Sequence, residues 1–447
     1  MPVRAWVDPG TSASGSGTIS NSSESTSNLS LDCHVERWEC PEELAPEDFA
    51  RVRTRLILEH YKWDPQVGDV STLARFPLVI PSDVWQGLAG LAERLAAEAL
   101  GSEHELLQRP DLIGKLGLPR RLRAALAKAN EVGLTPASAR VMRFDFHPTL
   151  DGWRISEANS DVPGGYTEAS HFPKLMAERY PGTDTAGDPA AGLVDALAAA
   201  LERPRGNLAL ISAAGYMEDQ QVTAYLAALL RERGHAAHLA RPQQIQWAGG
   251  VAHLDADWYR GGLDAVVRFC QGEWLDLCPA RNDWPAFFRG GLTPVCNPGS
   301  ALLVESKRFP LVWDELSSKL ATWRALLPST HDPRTVNWRR DPGWLLKTAL
   351  CNTGDTVAAH GLVDPKRWRQ AAIDATLYPG YWVAQRRFEV LPVRTPAGDV
   401  YPCLGVYTIN GSAAGVYGRI APRPLIDFEA IDIAVLIRAD GRMPSHG

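Results

Sequence analysis

The sequence lacks the features of several large protein classes. It has no apolar run near the ~18 residues that a membrane helix needs, and no hydrophobic signal segment at its N-terminus. GxGxxG, GxSxG, Walker A and HExxH patterns are missing. Cysteine is scarce, with seven residues and no CxxC pair, and the net charge is −6 rather than basic. We therefore expect a cytoplasmic protein that binds neither nucleic acid nor membrane.

The composition is that of a globular protein with polar ends. The chain has 447 residues, which is enough for two or three domains. Hydrophobic residues make up 45% of them, which is enough for a sizeable core. Residues 9–30 are dominated by Ser, Thr, Gly and Asn and cannot bury enough apolar area to offset the entropy of ordering. We predict a disordered tail at 1–30 and a short flexible tail at 438–447.

The first 300 residues combine a helical region with an alternating one. Apolar residues at helical spacing predict helices over 82–101 and 119–130, within a mainly helical region at 31–140. Between 207 and 300, short apolar strands flank a helix predicted over 220–233. Such alternation is typical of a Rossmann-like β-α-β unit with a parallel sheet.

The remaining chain is predicted to be mainly antiparallel. A helix over 301–316 precedes strands at 344–350, 381–390 and 400–409. The dipeptide Asn410-Gly411 is a strong signal for a type I′ hairpin turn.

A cluster of oxygen-bearing side chains marks a candidate metal site at 141–159. Arg143 and Asp145 lie two residues apart on one strand-like segment, and Glu157 and Asn159 lie on the next. A short turn between the segments brings the three oxygen ligands to one end of a hairpin. Mg²⁺ takes a few carboxylate or amide oxygens while phosphate supplies the rest. An arginine on the same face suits chemistry on a phosphate.

Two lysines and a polar loop are candidates for binding anions. Lys347 lies in an apolar strand, where it needs an anionic partner unless it is an edge-strand lysine whose charged end reaches water. Lys307 alone would be taken as a surface residue. The loop at 352–356 contains Gly354, and its backbone amides are suited to wrapping phosphates.

Three further features are candidates for ligand contacts, and two of them also have a structural interpretation. Gln385 and Glu389 lie four residues apart on a predicted strand, so both would point to one face. Arg419 either makes a bidentate contact to an anion or forms a surface ion pair. Gly164 and Gly165 either allow a ligand close to the backbone or simply reverse the chain.

These blocks together resemble the glutathionylspermidine synthase family, in its ATP-grasp ligase half. The matching segments, in order, are Arg143–Phe146 with Glu157–Asn159, Arg268 with Glu273–Leu275, Ser306-Lys307 with Leu311–Trp313, Leu346-Lys347 with Gly354, and Ile409–Gly415 ending at Arg419. The resemblance spans about residues 31–437.

The resemblance implies a fold of mixed α+β and α/β class. It assigns 141–206 to a metal-binding hairpin and connecting helix of the ATP-grasp core. It assigns 207–300 to a small, pre-ATP-grasp-like parallel-sheet domain, and 301–437 to the ATP-grasp lid and core. The region before the hairpin is too short and too helical for the amidase domain that bifunctional members carry.

The resemblance also implies ATP and two Mg²⁺ ions as cofactors, and a role for each matched residue. The metal ligands would be Asp145, Glu157 and Asn159. ATP would be contacted by Lys307, Lys347, Gly354, Gln385 and Glu389. The transferred phosphoryl group and the oxyanion would be stabilised by Arg143 and Arg419, and the substrate would be contacted by Gly164, Gly165, Thr167, Arg268 and Glu273.

The implied reaction is the ATP-dependent joining of a carboxylate to an amine through an acyl phosphate, with release of ADP and phosphate. The acyl donor would be an amino acid, a small peptide or an acid on a carrier protein. Thr348 stands where the family has proline, and Gly164, Gly165 and Thr167 replace serines that contact glutathione. These departures leave two alternatives open, a nucleotide-binding pseudo-ligase with a regulatory role and an ATP-dependent small-molecule kinase.

Overall fold

The computed structural model describes residues 31–67, 70–129, 139–201, 203–350, 357–426 and 430–439. These residues belong to one compact unit that begins at Leu31. The tail predicted at 1–30, most of the tail predicted at 438–447, and the loop at 352–356 with Gly354 lie outside the described residues. The predicted division into regions stays a prediction.

The described ranges contain eleven α-helices. They are α1 (Pro46–His60), α2 (Ser82–Leu107), α3 (Pro110–Ile113), α4 (Arg120–Leu126), α5 (Tyr166–Ala177), α6 (Pro189–Ala200), α7 (Met217–Glu232), α8 (Ala286–Arg289), α9 (Leu302–Glu305), α10 (Ala321–Leu326) and α11 (Pro365–Leu377). None of them combines the length and the apolar character that crossing a membrane requires.

The strands number twenty-two in the same ranges. The first eleven are β1 (Gln66–Val67), β2 (Val70–Ser71), β3 (Leu78–Ile80), β4 (Val141–Thr149), β5 (Gly152–Asn159), β6 (Thr183–Thr185), β7 (Asn207–Ser212), β8 (Ala236–Ala240), β9 (Ile245–Ala248), β10 (Val251–Ala256) and β11 (Tyr259–Gly262). The other eleven are β12 (Ala265–Phe269), β13 (Val295–Cys296), β14 (Thr330–His331), β15 (Trp344–Thr348), β16 (Ala358–Ala359), β17 (Trp382–Arg386), β18 (Val393–Thr395), β19 (Gly398–Ile409), β20 (Ser412–Ala421), β21 (Ile431–Ile433) and β22 (Val435–Arg438).

Two antiparallel sheets carry all three predicted metal ligands and both predicted catalytic arginines, together with Lys347 and Gln385. The larger has the order β21-β20-β19-β4-β5, with β18 paired to β19. The smaller has the order β14-β17-β15-β16. The β19–β20 hairpin turns at Asn410 and Gly411, whose φ angles of 50° and 87° meet the type I′ requirement for two positive values.

The parallel sheet expected between 207 and 300 is present. It has the order β13-β12-β7-β8, and every pairing within it is parallel. An antiparallel sheet, β11-β10-β9, is inserted between β8 and β12 and was not predicted. The fold is therefore mixed α/β, as the sequence indicates.

Helix α2 continues beyond its predicted end at Gly101. Leu88, Leu91 and Leu95 are fully buried on one face, and Leu106 extends that face by another turn. Burial of this apolar stripe outweighs the roughly 1 kcal/mol that a glycine costs inside a helix. Helix α4, in contrast, is shorter than the predicted 119–130.

The single helix predicted over 301–316 is wrong, because the chain there breaks into α9 and a 3₁₀ helix over Phe309–Glu315. Pro310 has no amide hydrogen to donate and clashes with a preceding helical turn. The amide of Lys307 donates to the carbonyl of Ala349 at 2.8 Å instead of to its own helix. The break therefore fixes Lys307 against the end of β15.

The strand predicted over 381–390 ends at Arg386. The amide of Arg387 donates to the carbonyl of Gly343, and the chain then leaves the sheet. Gln385 and Glu389 therefore do not share one strand, which corrects the expectation that strand alternation alone would align them.

One carboxylate joins helix α2 to helix α10. Glu98, on α2, accepts hydrogen bonds from the amides of Thr322 at 2.9 Å and Trp323 at 3.1 Å. These amides begin α10 and have no partner inside their own helix. The indole of Trp323 donates to the carbonyl of Leu95 at 3.0 Å, which strengthens the same junction.

We predict that Glu98→Ala lowers the free energy of unfolding by about 1–2 kcal/mol, the usual value for a helix cap. Glu98→Gln keeps an acceptor oxygen and should lose less than half as much. Urea denaturation of both variants checks this. Equal losses would mean that the charge of Glu98, rather than its cap geometry, stabilises α10.

Candidate functional site

The centre of the candidate site is the β4–β5 hairpin. Arg143, Asp145 and His147 alternate along β4 and so share one face. Across the pair, Arg143 is opposite Asn159 and Asp145 is opposite Glu157. The structure thus brings together the three oxygen-bearing residues and the arginine that the sequence indicates.

Asp145 is held by two guanidinium groups. Its Oδ1 accepts from Arg143 Nε at 2.7 Å, and its Oδ2 accepts from Arg419 Nη2 at 2.7 Å and from the Asn159 amide at 3.2 Å. The residue is completely buried. Burial opposes the charged form, but Arg143 and Arg419 outweigh it and hold the pKa of Asp145 far below its usual range. Asp145 is therefore an anion whose oxygens are already bound.

A glycine makes this ion network possible. Gly405 on β19 is opposite Asp145, and a Cβ there would lie 2.7 Å from Arg143 Cδ and 2.9 Å from Asp145 Oδ1. Such distances are shorter than real Cβ contacts allow. The missing side chain therefore lets Arg419, from β20, reach over β19 to Asp145.

Two lysines lie beside the second carboxylate. Lys307 Nζ is 3.3 Å from Glu157 Oε2, and Lys347 Nζ donates to the carbonyl of Ser156 at 2.9 Å. Burial disfavours ionisation of Glu157, but the positive charges of Lys307, Lys347 and Arg419 together outweigh it and lower the pKa. Glu157 is therefore ionised beside two ammonium groups.

A cavity of about 450 Å³ lies between the two antiparallel sheets, next to this cluster of charged residues. Among the predicted residues, its lining contains Arg143, Glu157, Asn159, Gly164, Lys347, Gln385, Glu389 and Arg419. A largely apolar part is lined by Leu345, Val357, Ala359, Leu362, Val390 and Ile426. Asp145 and Lys307 do not line the cavity, but each contacts residues that do.

The predicted substrate contacts are placed unevenly. Gly165 has a φ of 89° and packs on Tyr417, which lines the cavity. The hydroxyl of Thr167 donates to the carbonyl of His60 at 2.9 Å. Arg268 is buried and bound to Asp161 and to the carbonyl of Cys270. Neither Thr167 nor Arg268 lines the cavity. The contacts that each makes within the fold explain its presence without a substrate.

Glu273 also lies outside the cavity lining, on a 3₁₀ helix over Gly272–Leu277. Burial, with a smaller contribution from Asp161, raises its pKa to about 7. A contact between Glu273 and a substrate stays a prediction.

Sequence reasoning missed an acidic pair in the cavity. Glu218 and Asp219 form the first turn of α7 and line the cavity, whereas the helix was predicted to start at Gln220. Burial raises the pKa of Asp219 to about 6. The available signal was their place just after β7, because ligands bind at the carboxyl ends of parallel strands.

His147 is a further residue that lines the cavity. Its Nε2 lies 3.0 Å from the Ser156 hydroxyl. Burial lowers its pKa to about 4, so the ring is neutral at pH 7.

A protein-family model matches most of this chain. Residues 84–429 match the family model described as glutathionylspermidine synthase preATP-grasp. The chain belongs to this family. No curated protein matches it. Membership in the glutathionylspermidine synthase family supports a ligase-type role that forms amide bonds.

A solved structure of low sequence identity shares the fold of this chain. A glutathione synthetase-like effector from Globodera pallida, in its apo form, is 13% identical with a TM-score of 0.53, over 88% of this chain and 98% of that chain. A candidate gamma-glutamylcysteine synthetase from Methylobacillus flagellatus KT is 11% identical with a TM-score of 0.38, over 74% of this chain and 87% of that chain.

The donor set of the cavity fits a nucleotide that carries its own metal. No group of three or more His, Cys, Asp or Glu side chains in the described ranges is arranged to hold a metal. Glu157 and Asn159 nevertheless offer oxygens to the cavity, and Mg²⁺ keeps waters and phosphate oxygens as its other ligands. Arg419 Nε is buried and has no hydrogen-bond partner in the described part of the chain. A phosphate or carboxylate oxygen would satisfy this donor.

The ion network predicts a pH dependence of stability. The folded pKa of Asp145 lies below the unfolded value of about 3.9. Its contribution is therefore present above pH ~4 and is lost as the pH falls towards the folded pKa. Asp145→Asn should cost about 3–5 kcal/mol at pH 7, because it removes the buried partner of two guanidiniums.

Urea denaturation at pH 7 and at pH 3 measures this effect. The difference in free energy of unfolding between the wild type and Asp145→Asn should be smaller at pH 3 than at pH 7. A gap that is constant with pH would contradict a charged Asp145 in the folded protein.

Proposed function

We propose that this protein is an ATP-grasp carboxylate–amine ligase. It would phosphorylate a carboxylate with ATP and let an amine displace the phosphate, forming an amide with ADP and phosphate as the other products. The observation that carries the proposal is the composition of the cavity. Cationic side chains suited to phosphate, a carboxylate–amide pair suited to Mg²⁺, and a separate acidic pair line one cavity.

The cationic part suits the phosphoryl groups of ATP. Lys347 and Arg419 line the cavity, and Lys307 lies behind Glu157. Fixed positive charge at the point where negative charge develops is the main contribution that a protein makes to phosphoryl transfer. The neighbouring apolar surface around Leu345 and Val357 suits a nucleotide base. Gln385 is held there, because its amide donates to Thr330 at 2.9 Å.

Magnesium, when bound, would neutralise phosphate charge and orient the transferred group. Glu157 and Asn159 are the cavity-lining residues that would hold it. Asp145 would anchor the two arginines, and Arg143 and Arg419 would face the phosphoryl group and the carbonyl oxygen of the acyl donor.

The acidic pair suits the amine substrate. The charges that act on Glu218 are those of Asp64, Lys62, Asp432 and Asp219, whereas those that act on Glu157 include Lys307, Lys347 and Arg419. The two acidic groups therefore lie in different electrostatic surroundings. An ammonium group would bind at Glu218 and Asp219, away from the cations that attract phosphate.

The decisive experiment measures ADP release from Mg-ATP across a matrix of carboxylates and amines, with mass spectrometry of the active mixtures. A ligase requires both substrates, and its product mass equals their sum minus water. Glu157→Gln should lower kcat/KM by about a hundredfold, as the loss of one transition-state contact typically does. Glu178→Gln is the matched control, since Glu178 is exposed and paired with Arg55.

The other outcomes identify the alternatives. A phosphorylated product that forms without an amine would indicate a kinase. Tight binding of Mg-ATP without turnover in any mixture would indicate a nucleotide-binding pseudo-ligase.

We predict that Asp219→Asn raises KM for the amine about tenfold and leaves KM for ATP nearly unchanged, the pattern expected when substrate binding alone is lost. In the wild type, KM for the amine should rise as the pH falls through about 6, because protonation neutralises Asp219. Initial rates between pH 5.5 and 8 check this. A pH dependence that persists in Asp219→Asn would count against the assignment.

A further inference from the structure

A lysine side chain is buried in a nest of carboxylates. Lys62 Nζ lies 2.5 Å from Glu168 Oε1, 3.0 Å from Asp64 Oδ1 and 3.2 Å from Asp432 Oδ2. The lysine is only 3% exposed. The three carboxylates come from different parts of the fold, namely the segment after α1, helix α5 and strand β21.

This nest adjoins the acidic part of the cavity. Tyr417 lines the cavity, and its hydroxyl donates to Asp432 Oδ1 at 2.6 Å. Glu218 lines the cavity too, and the charges of Asp64, Lys62 and Asp432 all act on it. Tyr417 therefore contacts both the nest and the cavity that the amine substrate would occupy.

Glycines leave room at this boundary. A Cβ on Gly165 would lie 2.9 Å from the Tyr417 ring, and one on Gly164 would lie 3.2 Å from Glu218 Oε1. The backbone thus passes close to both side chains without filling the space between them.

The nest carries more negative than positive charge. Three carboxylates surround one ammonium, and Glu168 Oε2 is buried without a hydrogen-bond partner among the described residues. Burial raises the pKa of Glu168 to about 7 even though Lys62 opposes the shift. An unsatisfied buried carboxylate oxygen is costly. Removal of the Lys62 ammonium would leave all three carboxylates uncompensated, and the ammonium group of a ligand could replace it.

We propose that Lys62 is a specificity-determining residue whose ammonium occupies the place where the distal ammonium of a diamine or polyamine acceptor would otherwise bind. The proposal rests on the ligase function above. The protein's own side chain then fills the distal amine subsite, and the enzyme selects acceptors with a single cationic group. A lysine that only joins three elements of the fold would have no such effect on acceptor choice.

The first test is chemical rescue, which requires no enzymatic activity. Lys62→Ala leaves the carboxylates and creates space for a small alkylammonium. Its Tm should be lower than that of the wild type and should rise saturably with n-propylamine, at concentrations that leave the wild-type Tm unchanged. Two probes serve as controls: 1-propanol fills space without charge, and tetramethylammonium carries charge without a hydrogen-bond donor.

Lys174→Ala is the matched variant, because Lys174, on α5, also pairs with a carboxylate, Asp188, but is exposed. It should show no rescue. Rescue of Lys62→Ala by 1-propanol to the same extent, or no response to the amine, would overturn the proposal.

A second variant covers the possibility that Lys62→Ala fails to fold. Lys62→Ala/Glu168→Gln removes the lysine and one buried charge but keeps Asp64 and Asp432. The same amine-dependent rise in Tm is expected. Absence of the rise in this variant, once folded, would also overturn the proposal.

The second test measures acceptor choice in the ligase assay. The ratio of KM for 1,4-diaminobutane to KM for n-butylamine should fall about tenfold in Lys62→Ala relative to the wild type, because the diamine regains a buried ion pair. An unchanged ratio would refute the specificity role. If no amine supports ADP formation, the proposed function fails, whereas the Tm experiment still reports on the ammonium site.

Discussion

The candidate site depends on the shared ion network of Asp145, Arg143 and Arg419. A carboxylate this deeply buried is tolerated because two guanidiniums compensate its charge, and loss of one partner from such a group is strongly destabilising. The network also constrains the surrounding sheet. It requires a residue without a side chain at Gly405 and an arginine long enough to reach across β19 from β20. Two guanidiniums against one carboxylate leave a net positive charge at the wall of the cavity.

Features set by nearby residues were predictable from the sequence. The two-residue spacing of Arg143 and Asp145 fixed their common face, because side chains alternate along a strand. The turn at Asn410 and Gly411 followed from the backbone preferences of those two residues. The parallel sheet followed from alternating strands and helices. In each case the deciding interaction joins residues within one element or a pair of adjacent elements.

Features set by distant contacts were not predictable. A helix was expected through Lys307, but its amide bonds to Ala349, and Pro310 prevents helix continuation. Glu218 and Asp219 had no distinguishing pattern beyond their position after a strand. Lys62 and Asp432 are 370 positions apart, and neither carries a local signal for a buried ion pair. Such contacts depend on how sheets and helices pack, which single-segment periodicity does not contain.

Two neighbouring carboxylates on paired strands have opposite environments, and this contrast bears on their roles. Asp145 has no exposed surface and its oxygens are bound by arginines, whereas the Glu157 side chain is 19% exposed and lines the cavity. An oxygen that already accepts from a guanidinium is poorly placed to coordinate a metal as well. Because Mg²⁺ arrives with phosphate and water ligands, Glu157 and Asn159 are sufficient as its protein ligands in the proposed reaction. Asp145 then acts on the phosphoryl group indirectly, by fixing the two arginines that face it.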